Sequence, residues 1–386
     1  MEQYINQNVK KIEISGIRQF FNRVASVPDA VQLTLGQPDF QTPEHIKEAA
    51  KRAIDDNETK YTKNAGEPEL VKAASNFVKK KYGLQYDPDS EVLTTIGASQ
   101  AIDVAFRTIL DPGTEVILPG PSYPAYAPII TLCGATPIYV DTRESNFILT
   151  KDQIEKYRTD KTRAVVLPYP SNPTGAVLSL EHGKELAEYL NTQSMFVVSD
   201  EIYSELNYDQ EHVSIAQFPG MKEKTIVING VSKSHSMTGW RIGFAFAPAT
   251  IMKHMLKVHQ YNVSCASSIS QFAAIEALAN GFEDPLYMKE KYKERRDYML
   301  SRLKEIGIPT VKPEGAFYVF PCISESKLSS FDFSIKLLEE QKLAVVPGDA
   351  FSLYGEGYVR LSYAYSLKEL EEAMIRFERF WISIRK

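Results

Sequence analysis

The sequence predicts an α/β fold, a mostly parallel central sheet covered by helices, with a smaller α+β unit attached. Two observations carry this. From about residue 65 to about residue 245, short apolar, β-branched runs alternate with stretches of helical periodicity, the pattern of strands joined by crossover helices. From Pro285 the texture changes to one long, charge-rich helix followed by isolated strands, which marks a second unit. The predicted division is a large domain over residues 46–285 and a small domain built from residues 1–45 and 286–386.

Strands are expected at Glu91–Thr95, Glu115–Leu118, Arg163–Leu167, Met195–Val198 and Thr225–Ile228, each a short apolar run bounded by turn residues. A helix fills Ser99–Leu110, because Ala101, Ile102, Ala105, Ile109 and Leu110 recur at helical spacing; another spans Leu180–Asn191. Pro285–Ile306 reads as the long helix. Strand signals come next at Ala316–Phe320, Leu343–Val346 and Gly357–Ser362, then an amphipathic helix at Leu367–Ile382.

Bulk properties narrow the function. A length of 386 residues allows a large core, and 44% hydrophobic against 24% charged residues is ordinary globular composition. The net charge of −5 and the lack of a dense Lys/Arg block argue against nucleic acid or an anionic membrane as partner. No apolar run approaches the ~18–20 residues needed to span a bilayer. Cys133, Cys265 and Cys322 are widely spaced and lack a CxxC pair, and Met1–Ile5 has no signal-peptide character; together they predict a cytoplasmic chain. His254 and His259 are wrongly spaced for one helix face, so no metal site is expected.

The residues just after each central strand carry the chemistry. In open α/β sheets, ligands sit beyond the carboxyl ends of the strands. If the five runs are neighbouring parallel strands, Ser99, Tyr123, Asn172, Asp200, Tyr203, Lys233 and Arg241 share one rim. Gly97-Ala98-Ser99 at a helix start has free N–H groups and a hydroxyl suited to an anion. Asp200 ends a buried strand and needs a donor or cation, although an N-cap or structural ion pair would also satisfy it. Tyr123 is either a packed aromatic or a stacking face, and Ser-Asn-Pro-Thr-Gly at 171–175 is ordinary turn chemistry when taken alone. Lys233 on its own reads as a solvated loop lysine.

Together these residues meet the needs of pyridoxal phosphate. It requires an amine for a Schiff base, a carboxylate on the ring nitrogen, donors on the phenolate oxygen, a phosphate cradle and an aromatic face. The set resembles the fold-type I, class I/II pyridoxal-phosphate aminotransferases, above all in Ser232-Lys233 and Thr238-Gly239-Trp240-Arg241-Ile242-Gly243. The resemblance implies Lys233 as the Schiff-base lysine, Asp200 as the pyridinium partner, and Asn172 and Tyr203 as phenolate donors. It likewise implies Tyr123 as the stacking ring and Ala98, Ser99 and Arg241 as the phosphate site. Tyr61 matches a tyrosine that reaches the phosphate of the other subunit, which implies a homodimer with shared active sites. Gly36 matches the segment over the substrate, and Arg360 the arginine gripping the α-carboxylate. One departure stands out: Gly230 occupies the place where some members of the family have a phosphate-binding serine, so that either Ser232 supplies the hydroxyl or the phosphate has one partner fewer.

The implied reaction moves an amino group between an amino acid and an oxo acid, expected to be 2-oxoglutarate. Six stretches (EISGIRQF, LPYPSNPTGAVLS, SDEIYSEL, VSKSHSMTGWRIGF, KVHQYNVSCASSISQ and YGEGYVRLS) tilt the resemblance toward a branch serving bacterial lysine biosynthesis. Aspartate or aromatic amino acids are the alternative substrates, and a carbon–sulfur lyase would keep the same cofactor contacts. A transcription regulator with an aminotransferase-like domain is disfavoured, since Gly36 already belongs to the catalytic unit and leaves no room for a DNA-binding module.

Overall fold

The alternation of apolar runs and helical stretches folds into a seven-stranded sheet with helices on both faces. The computed structural model of the protein describes residues 1–12, 20, 23–24 and 27–385; residues 13–19 of the EISGIRQF stretch lie outside the described residues. In chain order, β1 (Val31–Gln32) precedes α1 (Glu44–Asp55) and α2 (Pro68–Tyr82). Next come β2 (Val92–Thr95), α3 (Gly97–Ile109), β3 (Glu115–Gly120), α4 (Tyr126–Leu132), β4 (Thr136–Asp141) and α5 (Lys151–Tyr157). The sheet continues through β5 (Thr162–Leu167), α6 (Leu180–Asn191), β6 (Phe196–Asp200), β7 (Thr225–Gly230), the single turn α7 (Val231–Ser234) and β8 (Gly243–Phe246). Helices α8 (Ala249–Val263), α9 (Ser268–Asn280) and α10 (Asp284–Glu305) come after it. The chain ends with β9 (Tyr318–Val319), α11 (Ser330–Gln341), β10 (Leu343–Ala344), β11 (Val346–Pro347), β12 (Val359–Ser362) and α12 (Leu367–Ile384).

The large sheet has the order β2-β8-β7-β6-β5-β3-β4. This corrects the expectation that the five recognised runs are immediate neighbours. β8 is antiparallel to both β7 and β2 and stands between them. Because direction reverses twice across it, β2 still runs with β3, β5, β6 and β7, and its carboxyl end stays on the same rim. β4 was also not expected. It pairs parallel with β3 at the sheet edge, where Pro137 is tolerated because only one side must donate ladder bonds.

The central strands are largely apolar and buried because both faces are covered. Val116, Leu118, Ala164, Val166 and Val198 pack on one side with Val104, Phe106 and Met255. Ile117, Val165, Leu167 and Val197 pack on the other with Leu186 and Leu190. Helix starts carry local signals as well. Thr150 and Gln153 form a capping box on α5, Ser366 and Glu369 another on α12, and Ser179 caps α6.

A further core gathers Met288, Tyr292, Met299, Phe317, Phe333, Leu361, Phe377 and Trp381 from α10, α11, α12 and the short strands. β9, β12 and β11 form an antiparallel sheet, and β1 pairs parallel with β10. The single expected strand Leu343–Val346 is therefore two, one reaching the N-terminal segment and one reaching β12. Among the described residues no helix is long and apolar enough to cross a membrane.

Phe106 is fully buried between α3 and the sheet. Phe106→Ala is expected to cost about 3–5 kcal/mol of stability, read as a lower denaturant midpoint.

Candidate active site

One cavity of about 340 Å³ opens at the carboxyl ends of the parallel strands. Its lining includes Gly36, Ala98, Ser99, Tyr123, Asn172, Asp200, Tyr203, Ser232, Lys233, Arg241 and Arg360. Of the residues singled out from sequence, only Tyr61 is absent. It lies on an outer loop and is 89% exposed.

The anion end is built from backbone and one guanidinium. Gly97 opens α3 at φ +73, and a methyl group there would collide with the Arg241 guanidinium. A methyl group on Gly243 would collide with the backbone of Gly97 and Ala98. These glycines let β8 and the α3 N-terminus meet, so free N–H groups, Ser99 and Arg241 converge. Arg241 donates to the Thr238 carbonyl at 2.9 Å and the Ile96 carbonyl at 3.4 Å, which aims it across the helix start. Ser99 and Arg241 are both exposed in the single chain. Gly230 faces β8 closely: a Cβ there would stand 3.0 Å from Gly243 Cα and 3.0 Å from the Ile242 carbonyl, leaving little room for a serine. Ser232 lines the cavity in its place.

Asp200 terminates β6 and is buried. Burial raises its carboxyl to about 6, while hydrogen bonds from the Tyr126 hydroxyl and the Ile202 N–H pull it down. The Tyr126 hydroxyl donates to Oδ2 at 2.7 Å, and the Ile202 N–H lies 3.3 Å from Oδ1. Burial lowers the Lys233 amine to about 8, helped by the positive fields of Arg241 and Arg360. Its Nζ donates to the Gly36 carbonyl at 2.6 Å. Tyr123 stands edge-on to Tyr126, with ring centroids 5.5 Å apart.

Arg360 lies at the other end, 4% exposed. It donates to Asn172 Oδ1 at 2.8 Å and to the Thr34 carbonyl at 2.6 Å. Its Nε has no partner, and no carboxylate of the described residues pairs with it. Its cation sits 4.5 Å from the Tyr318 ring centroid and 5.0 Å from that of Phe351. With its oxygen engaged by Arg360, Asn172 keeps its amide N–H groups for a ligand. Tyr203 and Tyr318 share a hydrogen bond at 2.8 Å, and both line the cavity.

Sequence reasoning missed Tyr126, Tyr318 and the Thr34 carbonyl. Tyr126 falls three residues after Tyr123 in the same turn-and-helix run, which was a usable signal. Tyr318 sits in the Ala316–Phe320 strand signal with no polar neighbour to single it out, and Thr34 acts through its backbone, so neither had one. The set offers an anion cradle, a buried acid, a free amine and a second cation around a space sized for a flat ligand.

Known proteins of similar sequence and fold agree with this chemistry. The family model "Aminotransferase class I and II" matches residues 28–377. A Bacillus subtilis (strain 168) protein named "Probable N-acetyl-LL-diaminopimelate aminotransferase" is 58% identical over 100% of this chain and 98% of its own. The crystal structure of an aromatic aminotransferase from Pyrococcus horikoshii OT3 superposes with a TM-score of 0.89 at 44% identity, covering 93% of this chain and 98% of that one. The aspartate aminotransferase of Rhizobium meliloti gives a TM-score of 0.94 at 37% identity, covering 98% of each.

An amine reacts only when unprotonated. With the Lys233 amine at about 8 rather than 10.5, its acylation in cofactor-free protein is expected to rise with pH around a midpoint near 8. Mass-spectrometric labelling rates check this; a midpoint near that of surface lysines contradicts it.

Proposed function

Since this chain belongs to the class I and II aminotransferases, which depend on pyridoxal phosphate, we propose that this cavity holds the cofactor and that Arg360 grips the substrate carboxylate. The observation that carries the reading is Arg360 itself, a buried guanidinium without an acid partner among the described residues, facing the same space as Lys233, Asp200 and the anion cradle. A buried cation costs several kcal/mol unless an anion meets it, and a substrate carboxylate is the anion this reaction brings.

The residues fit the cofactor group by group. The α3 N-terminus, Ala98, Ser99, Ser232 and Arg241 suit its phosphate, Tyr123 its ring face, Asp200 its ring nitrogen, and Asn172 with Tyr203 its phenolate oxygen. Bound there, pyridoxal phosphate supplies a carbonyl carbon that accepts an amino group and a ring that withdraws negative charge from the substrate Cα. Lys233 provides the amine that tethers the cofactor and then serves as the base for the Cα proton, a task suited to an amine lowered toward neutrality. Tyr126 holds one Asp200 oxygen and the Ile202 N–H the other, which fixes the carboxylate at the cavity wall. Gly36 covers the substrate side through the segment that also brings the Thr34 carbonyl to Arg360.

The donor is N-acetyl-LL-diaminopimelate, with 2-oxoglutarate and glutamate as the partner pair, in lysine biosynthesis. The full-length identity to the Bacillus relative supports this. Likeness to the aromatic and aspartate enzymes supports those substrates as the second reading. The protein works as a cytoplasmic homodimer in which Tyr61 reaches the partner's phosphate. In support, Ser99 and Arg241 are exposed in the single chain, as are Tyr61 at 89% and Tyr261 at 87%. The division into residues 46–285 and residues 1–45 with 286–386 rests on the separate cores beside the sheet and around α10, α11 and α12.

Borohydride treatment of the loaded wild type is expected to trap the cofactor on Lys233, seen as a mass gain, and Lys233→Ala to lose it. Arg360→Ala is expected to raise KM for both amino and oxo acid about 10²-fold or more. Normal trapping in the Lys233 variant would remove the assignment.

A panel of amino donors read by cofactor absorbance separates the substrates. N-acetyl-LL-diaminopimelate and glutamate are expected to convert the bound cofactor to its aminated form. Conversion by aromatic donors alone would overturn the substrate and leave the class standing.

A further inference from the structure

Directly after Asp200 the chain buries a second acid. Glu201 is 1% exposed and lines no part of the cavity. Its Oε1 accepts from Ser199 Oγ at 2.7 Å and Ser214 Oγ at 2.6 Å, and its Oε2 meets His212 Nε2 at 2.8 Å. Ser214 is fully buried and the His212 side chain nearly so. The carboxylate is thus saturated with donors on the side of β6 away from the cavity.

The contacts continue behind the site. The Tyr82 ring stands edge-on to His212 with centroids 5.0 Å apart. Tyr82 has one proton and donates it to Glu205 Oε1 at 2.6 Å, so the 2.8 Å contact to Ser204 Oγ makes Ser204 the donor there. Ser204 Oγ in turn accepts from Asn229 Nδ2 at 3.0 Å, and Asn229 Oδ1 accepts the Gly230 N–H at 2.7 Å. The end of β6 and the end of β7, which leads to Lys233, are therefore tied together from behind. The segment that leaves Asp200 and carries Tyr203 has no regular secondary structure. Over residues 201–206 its backbone bonds are few: Glu201 N to the Ile228 carbonyl, Ser204 N to the Glu201 carbonyl, Leu206 N to the Tyr203 carbonyl and Ala316 N to the Leu206 carbonyl.

We propose that Glu201 and His212 are positioning residues, forming with Ser199 and Ser214 a buried brace that aims Asp200 and Tyr203 into the cavity. This rests on Asp200 being the partner of the ring nitrogen. The physical ground is that Tyr126 and Tyr318 hold the tips of the two side chains, while the short backbone stretch from the end of β6 to Tyr203 must itself be fixed to within the fraction of an ångström that a ring nitrogen and a phenolate oxygen require. A carboxylate with three donors, two of them from the returning 212–214 loop, supplies that constraint.

The test is a double-variant cycle on the full chain, read as pyridoxal phosphate affinity by fluorescence titration of cofactor-free protein, with kcat and KM alongside. Glu201→Gln is expected to weaken cofactor binding about tenfold or more and lower kcat, with little change in KM. In an Asp200→Asn background the same substitution is expected to cost less than about threefold, because the two act through one contact. Ser214→Ala, which deletes a single hydrogen bond, repeats the cycle with less risk to folding. Equal losses in both backgrounds, or a lower Tm with unchanged affinity and kcat, would reduce the brace to a structural role and overturn the proposal. If Asp200→Asn alone leaves cofactor affinity unchanged, the reading of Asp200 fails and the brace falls with it; additivity beside a strong Asp200 effect condemns the brace only.

Discussion

A guanidinium held below the surface, with no acid among the described residues to answer it, is the constraint on which this site depends. Arg360 is kept in place by neutral acceptors, Asn172 and the Thr34 carbonyl, and by the faces of Tyr318 and Phe351. Those partners orient the cation without neutralising it. Arg241 adds a second cation at the opposite end, and the Lys233 amine lies between them, lowered by burial and by both fields. Against this stands one carboxylate, Asp200, itself raised toward 6 by burial. Such a cavity favours a ligand that brings negative charge at two separate points, which is what a phosphorylated cofactor and a carboxylate substrate do.

The fold sustains the imbalance by dividing the labour among rigid elements. The α3 N-terminus and β8 are pressed together at Gly97 and Gly243, and this close approach builds the anion cradle. β6 and β7 present Asp200 and Lys233 from adjacent parallel strands. Arg360 arrives on β12, part of the small antiparallel sheet, and the segment after β1 passes over Lys233 with the Gly36 carbonyl. Asp39 in that segment is clamped by Arg295 through two bonds of 2.8 and 2.9 Å. The cavity is thus lined both by the central sheet and by the segments around β1 and β12.

Much of this was legible in the residue order because strand ends carry the chemistry in such sheets. The runs ending near Thr95, Leu167, Asp200 and Gly230 each hold adjacent Val, Ile or Leu residues since both sheet faces are covered. β4 and β8 escaped notice for physical reasons. β4 carries Pro137, allowed only because the strand is at the edge, and β8 is four residues that begin with glycine. The missed site groups share a different cause. Thr34 contributes a carbonyl, which every residue has, and Tyr318 looks the same whether its hydroxyl meets the core or a cavity.

The order of residues by itself determined most of the central strands, through their local periodicity, and through its resemblance to a known family it pointed to Lys233, Asp200, Arg241 and Arg360 as the residues to look for. The tertiary structure alone decided that Arg360 has no carboxylate partner among the described residues, that Tyr126 holds Asp200, and that β8 intervenes without turning the rim. These depend on distances between segments far apart in the chain. Charge balance and hydrogen-bond partnership belong to space, and no local pattern of residues encodes them.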